Sequence, residues 1–375
     1  MNGLRPSNIP TQTQRKHRGI NLLERERKQA EALHYLGILL DGLASPSSGS
    51  SSSSPWLAAC RGHFHTRRVL DLGHVNRPEA QIKACEAALA DADVDGEDRL
   101  FLQQKLVALA VPPRRWKKPA FSPLRAAPVL QLRLGDLGRR NGGGKSLEDR
   151  VLDYLLGEEM GKEGDGGGGG GQWEGAHCEN GVYLTLFGLL CHSVVFAPSP
   201  AAAAAAAATA AVDDAAAPFL TPYQHAPHDL TLGRGTFLAR PGRRAALDRC
   251  LERIGRGEAS AMLAEVYADP QRRGALCIGV DWHAYPLESL QRIADGLGPA
   301  ALRLLCETLA SDYTLWSHGL PDLLLWRVDD IAEVRLVEVK GPGDSLSNSQ
   351  MCWIDKLLGV GARVEVARVA EAAAE

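Results

Sequence analysis

The 375-residue chain lacks several features that would classify a protein at once. No two of its eight cysteines form a CxxC pair: Cys60, Cys85, Cys178, Cys191, Cys250, Cys277, Cys306 and Cys352 are scattered. That spacing excludes a zinc framework and a compact disulfide scaffold, and the expectation is reduced, mostly buried thiols in an intracellular protein. His177-Cys178 and Cys191-His192 are neighbours whose side chains point in different directions, so neither reads as a metal clip. There is no apolar run long enough to span a bilayer and no charged stretch leading into an apolar core near the N-terminus. A soluble protein with no membrane partner is therefore expected. A hydrophobic fraction of 45% and a charged fraction of 23% exclude a wholly disordered or collagenous chain.

What is present is uneven. Ala201–Ala208 is an unbroken alanine run, Gly166–Gly171 a glycine run, and 47–54 nearly all serine, so the globular part is shorter than the chain. The net charge of −3 hides a division near Arg140: residues 1–140 carry 22 Lys+Arg against 13 Asp+Glu, and the remainder 20 against 32. A basic half suits a polyanion such as nucleic acid, and an acidic half can gather carboxylates around metal ions; a solvated surface of uneven charge explains the split equally well. Basic clusters at Arg15, Lys16, Arg18 and at Arg25, Arg27, Lys28 are compatible with nuclear import.

Residues 1–20 read as a polar, disordered, basic N-terminus. Residues 21–160 read as a helical, DNA-binding region interrupted by the serine-rich loop, with Leu22, Leu23, Ala30, Leu33, Leu36 and Leu39 in one helix and a second block over about 78–110 broken by the acidic loop Asp91–Asp98. The paired short helices are TPR-like, though no repeat period is clear enough to count. Pro112-Pro113-Arg114-Arg115-Trp116-Lys117-Lys118-Pro119 is extended or turning backbone that displays Arg114, Arg115, Lys117 and Lys118 around one tryptophan. Either the cations contact phosphates beside a stacking ring, or Trp116 packs the loop while the cations stay in water.

A helix over Leu147–Met160 leads into a glycine-rich linker, 161–176, and then a domain over 177–370 with an alanine-rich insertion near 199–217. Over Glu179–Phe196, Val182, Leu186, Leu189, Leu190 and Val194 form one helix face, and Glu179 projects on that side as a cap or as a ligand. Helical patterns at about 243–254, 257–267, 286–296 and 299–312 precede strand, strand, helix, strand: 323–326, Val334–Lys340, Ser347–Leu358 and Arg363–Val369. This is a mixed α/β core. Residues two apart on a strand face the same way, so Glu338 and Lys340 project together while Val337 and Val339 enter the opposite layer. With Asp322 on the adjoining strand end, two carboxylates and an ammonium converge, a set suited to a hard divalent cation and a phosphodiester. An exposed, salt-bridged hairpin is the plainer alternative. The turn Gly341-Pro342-Gly343-Asp344 that ends the strand at the lysine, and the helix bearing Gln350 behind it, weigh against that alternative.

Four patches in order carry a resemblance to a known family. Gly319-Leu320-Pro321-Asp322-Leu323-Leu324-Leu325-Trp326, then Leu336-Val337-Glu338-Val339-Lys340-Gly341-Pro342, then Leu346-Ser347 with Gln350-Met351-Cys352-Trp353, resemble the VRR-NUC branch of the PD-(D/E)xK nucleases. Pro112–Pro119 and His177-Cys178-Glu179 with Thr185-Leu186-Phe187-Gly188-Leu189-Leu190 resemble the Fanconi-associated nucleases. The resemblance implies a restriction-endonuclease-like α/β domain preceded by the helical region. It implies a metal-dependent DNA nuclease, a 5′-flap endonuclease and 5′-to-3′ exonuclease, that acts in the nucleus on branched or flapped DNA with DNA-repair proteins in interstrand crosslink repair. By that resemblance Glu179, Asp322 and Glu338, with the Val339 carbonyl, hold Mg²⁺ or Mn²⁺, Lys340 assists the attacking water, and Gln350 supports the site. Ser345, Asn348 and Ser349 stand where family members carry basic residues for a terminal phosphate. Neither the SAP domain of animal members nor a ubiquitin-binding zinc finger is expected here. An inactive junction-binding repair scaffold is the alternative.

Overall fold

The computed structural model describes residues 12–41, 55–137, 144–161, 172–197, 224–231, 234–240, 242–269, 272, 274, 276–329 and 331–371. The serine tract, the glycine run and the alanine-rich insertion near 199–217 lie outside them. The chain forms two compact units, Met1–Ser122 and Pro123–Glu375.

The first unit is helical: α1 Gln12–Arg25, α2 Gln29–Asp41, α3 Pro55–His74, α4 Pro78–Ala90 and α5 Gly96–Leu109, each packed on the next. Helix α1 begins at Gln12, inside the stretch 1–20 expected to be disordered, and Ile20 enters a core with Leu36, Leu40 and Phe64, whereas residues 1–11 lie outside the described residues. The single helix expected over the leucines from 22 to 39 is two helices, broken where Arg27 takes a left-handed backbone at φ 59. A second core of Val69, Cys85, Leu102 and Leu106 ties α3, α4 and α5 together. Pro78 opens α4 at a position where its missing N–H has no helical partner to lose.

The second unit is built on a five-stranded sheet, with β1 Val129–Arg133, β2 Trp173–His177, β3 Leu323–Arg327, β4 Val334–Lys340 and β5 Val364–Ala370. The order is β1-β5-β4-β3-β2; β1 and β4 run parallel to β5, and β3 runs antiparallel to both β4 and β2. The sheet therefore recruits residues 129–133 and 173–177, and helix α6, Leu147–Gly161, covers one face through Val151 and Leu155 against Leu323, Leu325, Val337 and Val339. The boundary falls at Ser122/Pro123, not within the segment 161–176, because β1 is hydrogen-bonded into the same sheet as the carboxylate strands.

Around the sheet stand α7 Gly181–Leu190, α8 His192–Val195, α9 Arg243–Gly255, α10 Ala259–Ala268, α11 Leu287–Ser311, α12 Tyr313–Trp316 and α13 Asn348–Gly359. Helix α11 kinks at Gly298, φ 72, just before Pro299, which matches the two helices expected at 286–296 and 299–312. Both α11 and α13 pack on the sheet. None of the eight cysteines is in a disulfide; seven are buried and Cys60 is half-buried.

Candidate active site

Asp322 sits one residue before β3, and its Oδ2 accepts a hydrogen bond from the Val339 backbone N–H of β4 at 2.9 Å. Val339 thus enters the site through its nitrogen. The strand end is fixed from the other side as well: the Cys178 N–H donates to the Asp322 carbonyl at 2.8 Å, and the Leu320 N–H donates to Asn180 Oδ1 at 3.0 Å. Gly319 makes this approach possible. Its φ of +82 is left-handed, and a Cβ there would stand 2.8 Å from the Ser349 Cβ and 2.9 Å from the Ser349 carbonyl carbon.

Glu338 lies on β4 with 1% exposure. Its Oε1 accepts from the Lys340 ammonium at 2.7 Å and from Gln350 Nε2 at 2.5 Å, as alternation along the strand and the helix behind it imply. Gln350 is aimed by a capping box: the Gln350 N–H donates to Ser347 Oγ, and Gln350 Oε1 accepts from the Ser347 N–H at 2.8 Å. One turn on, Trp353 Nε1 donates to the carbonyls of Trp316 and His318 at 3.2 and 3.1 Å, which docks α13 on the segment leading to Asp322.

Burial, and then the Asp322 charge, push the Glu338 carboxyl up to about 8; Lys340 pulls the other way. Glu338 Oε2 is buried and has no hydrogen-bond partner. A carboxylate oxygen left bare in a buried site beside a second carboxylate fits a divalent cation, which would satisfy the oxygen and relieve the repulsion between the two acids.

Glu179 differs from the helix-face position read for it. Helix α7 starts at Gly181, because Glu179 and Asn180 both take left-handed backbone, φ 37 and φ 74. Its side chain is 81% exposed and stands 3.6 Å from His177 Nε2, while His177 Nδ1 is 3.3 Å from Asp149 of α6. The chain brings Glu179 next to Asp322 through Cys178 but leaves its carboxylate in solvent. Among the described residues no group of three or more His, Cys, Asp or Glu side chains is close enough together to form a ready-made metal site.

In the helical unit, Trp116 is 83% exposed and so does not pack its loop. Arg114 Nε donates to the Leu109 carbonyl at 3.1 Å, Arg115 pairs with Glu86, and Lys117 and Lys118 are exposed.

Two residues at the site were not singled out in the sequence. Asn180 carried a signal, an Asn-Gly pair ahead of an apolar helix. Tyr183 carried none: it reads as one more core aromatic, yet its fully buried hydroxyl has no hydrogen-bond partner, and its pKa is raised well above the usual range by burial and by Cys178, Glu338 and Asp322.

Residues 257–371 match the VRR-NUC domain model. The chain is 32% identical to the Fanconi-associated nuclease 1 homologs of Arabidopsis thaliana, over 82% of its length, and of Oryza sativa subsp. japonica, over 94%. It is 29% identical to human Fanconi-associated nuclease 1, over 94%. It spans about a third of each of these relatives, 33% in all three cases. A crystal structure of paFAN1 bound to DNA with a 2-nucleotide 5′ flap and a gap shares the fold at a TM-score of 0.72 and 23% identity, over 99% of this chain and 57% of that one. The likeness read from the motifs therefore holds: the chain carries a VRR-NUC domain and is similar over most of its length to the Fanconi-associated nucleases.

Proposed function

We propose that the chain is a structure-specific DNA nuclease that hydrolyses phosphodiesters at 5′ flaps and from 5′ ends, using Mg²⁺ or Mn²⁺. The observation that carries this reading is the carboxylate pair: half-buried Asp322 and buried Glu338 on adjoining strand ends, with Lys340 on Glu338 and one Glu338 oxygen unpaired. Asp322, Glu338 and the Val339 carbonyl would hold the metal, joined by Glu179 from the end of β2. A bound divalent cation supplies Lewis acidity toward the phosphate and an acidified water. The chain's own residues do the rest. Gln350 keeps Glu338 in one rotamer, and Lys340 places a positive charge where the phosphodiester gains negative charge. Arg114, Arg115, Lys117 and Lys118 would contact the DNA backbone, with Trp116 as a stacking surface. Action in the nucleus, beside repair proteins, on interstrand crosslinks completes the proposal and rests on the family likeness and the basic clusters near the N-terminus.

The test is cleavage of a labelled 5′-flap duplex with added Mg²⁺ or Mn²⁺. Asp322→Ala and Lys340→Ala should each nearly abolish cutting and leave DNA binding largely intact. Undiminished cleavage by both variants would end the reading. A second reading, a junction-binding scaffold without turnover, is favoured by the solvent-facing Glu179 and by Ser345, Asn348 and Ser349 in the loop after Lys340. It requires that the wild-type chain bind flapped DNA and cut none.

A further inference from the structure

The same unit holds a groove of about 570 Å³, lined by Tyr267, Ala268, Trp282, His283, Tyr285 and Leu287. Tyr267 comes from α10, Leu287 opens α11, and the other aromatics lie on the loop before α11. The Tyr267 and Trp282 rings meet edge to face, 5.3 Å apart at 61°, and the Tyr267 hydroxyl donates to the Tyr285 carbonyl at 3.4 Å. All three aromatics are half-buried, so each is held in place and still shows surface. Among the described residues no lysine, arginine, aspartate or glutamate lines the groove. Asp281, beside Trp282 in sequence, accepts hydrogen bonds from the N–H groups of His283 and Ala284.

One residue of the groove comes up against the start of α7, two residues after Glu179. The Tyr285 hydroxyl lies 3.3 Å from where a Cβ on Gly181 would sit, at the start of α7. Burial and Cys178 push its phenol up to about 12, and Cys178 is the residue whose N–H grips the Asp322 carbonyl. A ring-walled groove suits bases, because every base has a π-face and stacking is tolerant of sequence.

We propose that this groove takes the unpaired nucleotides of a DNA single strand leaving the cleavage site, with bases stacked on Trp282 and Tyr267. The proposal rests on the nuclease reading and deepens it, assigning the part of the substrate that distinguishes a flap from a plain duplex.

The test is equilibrium binding of the full chain to fluorescent duplexes with a 5′ flap of zero or four thymidines, in chelator, so that no cutting occurs. The wild-type chain should bind the flapped duplex more tightly. Trp282→Leu, which keeps apolar bulk and loses the ring, should weaken flapped binding about ten-fold and leave the flapless duplex unchanged, and Trp282→Phe should restore most of it. Equal weakening on both duplexes, no weakening, or a wild-type chain indifferent to the flap would overturn the proposal. So would competition for the groove by an apolar peptide that leaves flap binding intact. Should Trp282→Leu melt early, Tyr267→Leu takes its place with the same expectation. Binding in chelator is independent of turnover. Unimpaired cleavage by Asp322→Ala would therefore remove the nuclease centre without touching this result, and a flat flap dependence would remove the groove without touching the centre.

Discussion

Glu338 holds a proton in the folded chain that it would give up in the unfolded one. Its carboxyl titrates near 8 when folded, against an ordinary value of 4.5, so between those values the folded state binds more protons than the unfolded state and stability falls as pH rises. The contribution is fully present below about 4.5 and lost through about 8. Thermal melts of the metal-free chain should show this decline, Glu338→Gln should remove that component, and added Mg²⁺ should raise the melting temperature of the wild-type chain more at pH 8 than at pH 5. Superimposable pH profiles of the wild-type chain and Glu338→Gln would count against the assignment. Tyr183, on the first turns of α7, shares this pocket with a hydroxyl that has no partner, so the site contains two buried polar atoms whose hydrogen-bonding capacity is unused.

At the level of elements, the catalytic strand ends are positioned by pieces far apart in sequence. The segment before β3 is gripped by Cys178 and Asn180 on one side and by Trp353 of α13 on the other. Gly319 is where these constraints converge. Gly319→Ala forces a Cβ into Ser349 and a left-handed backbone on a residue that resists it, so we expect a loss of about 1–3 kcal/mol in stability and a displaced Asp322. Chemical denaturation with cleavage measured on the still-folded fraction checks both; unchanged values in both would show that the site does not depend on this contact. Much of this region was legible in the sequence. The spans of β3, β4, α13 and β5 follow from apolar runs and alternation, and the shared side of Glu338 and Lys340 follows from strand period alone. The edge strands β1 and β2 were not legible. Each has only five residues: Leu130-Gln131-Leu132-Arg133 alternates over too short a stretch to mark a strand, and Glu174-Gly175-Ala176 holds no strand-favouring residue, so tertiary pairing with β5 and β3 makes them strands. Glu179 misled because its helix face was extrapolated through Asn180, whose left-handed backbone resets the direction.

At the scale of the whole molecule, the charge division now has residues attached. Of the four cations around Trp116, Arg115 is paired with Glu86 and Arg114 caps the Leu109 carbonyl, so in the proposed DNA-binding role Lys117 and Lys118 are the pair that would meet phosphates. Replacing both lysines by glutamine should reduce the slope of log binding constant against log salt by about one per lysine, for any DNA sequence. Titrations of a flapped duplex from low to physiological salt measure it, and an unaltered slope would return the loop to a solvated surface. The excess of acids beyond Arg140 is less specific: many are spent in ion pairs such as Arg253 with Glu258 and Glu265, or Arg363 with Glu333 and Glu365.

The strand order has one more consequence. The stretch matching the VRR-NUC model begins at 257, yet the sheet it contributes to is finished by β1 and β2, more than 80 residues upstream, and the face beneath Val337 and Val339 is closed by α6. Excised at those borders, the three strands would carry an open ladder on both flanks and a bare apolar underside. The recognisable motif is thus not a portable cassette: the candidate site residues depend on the scattered upstream segments that seal their sheet.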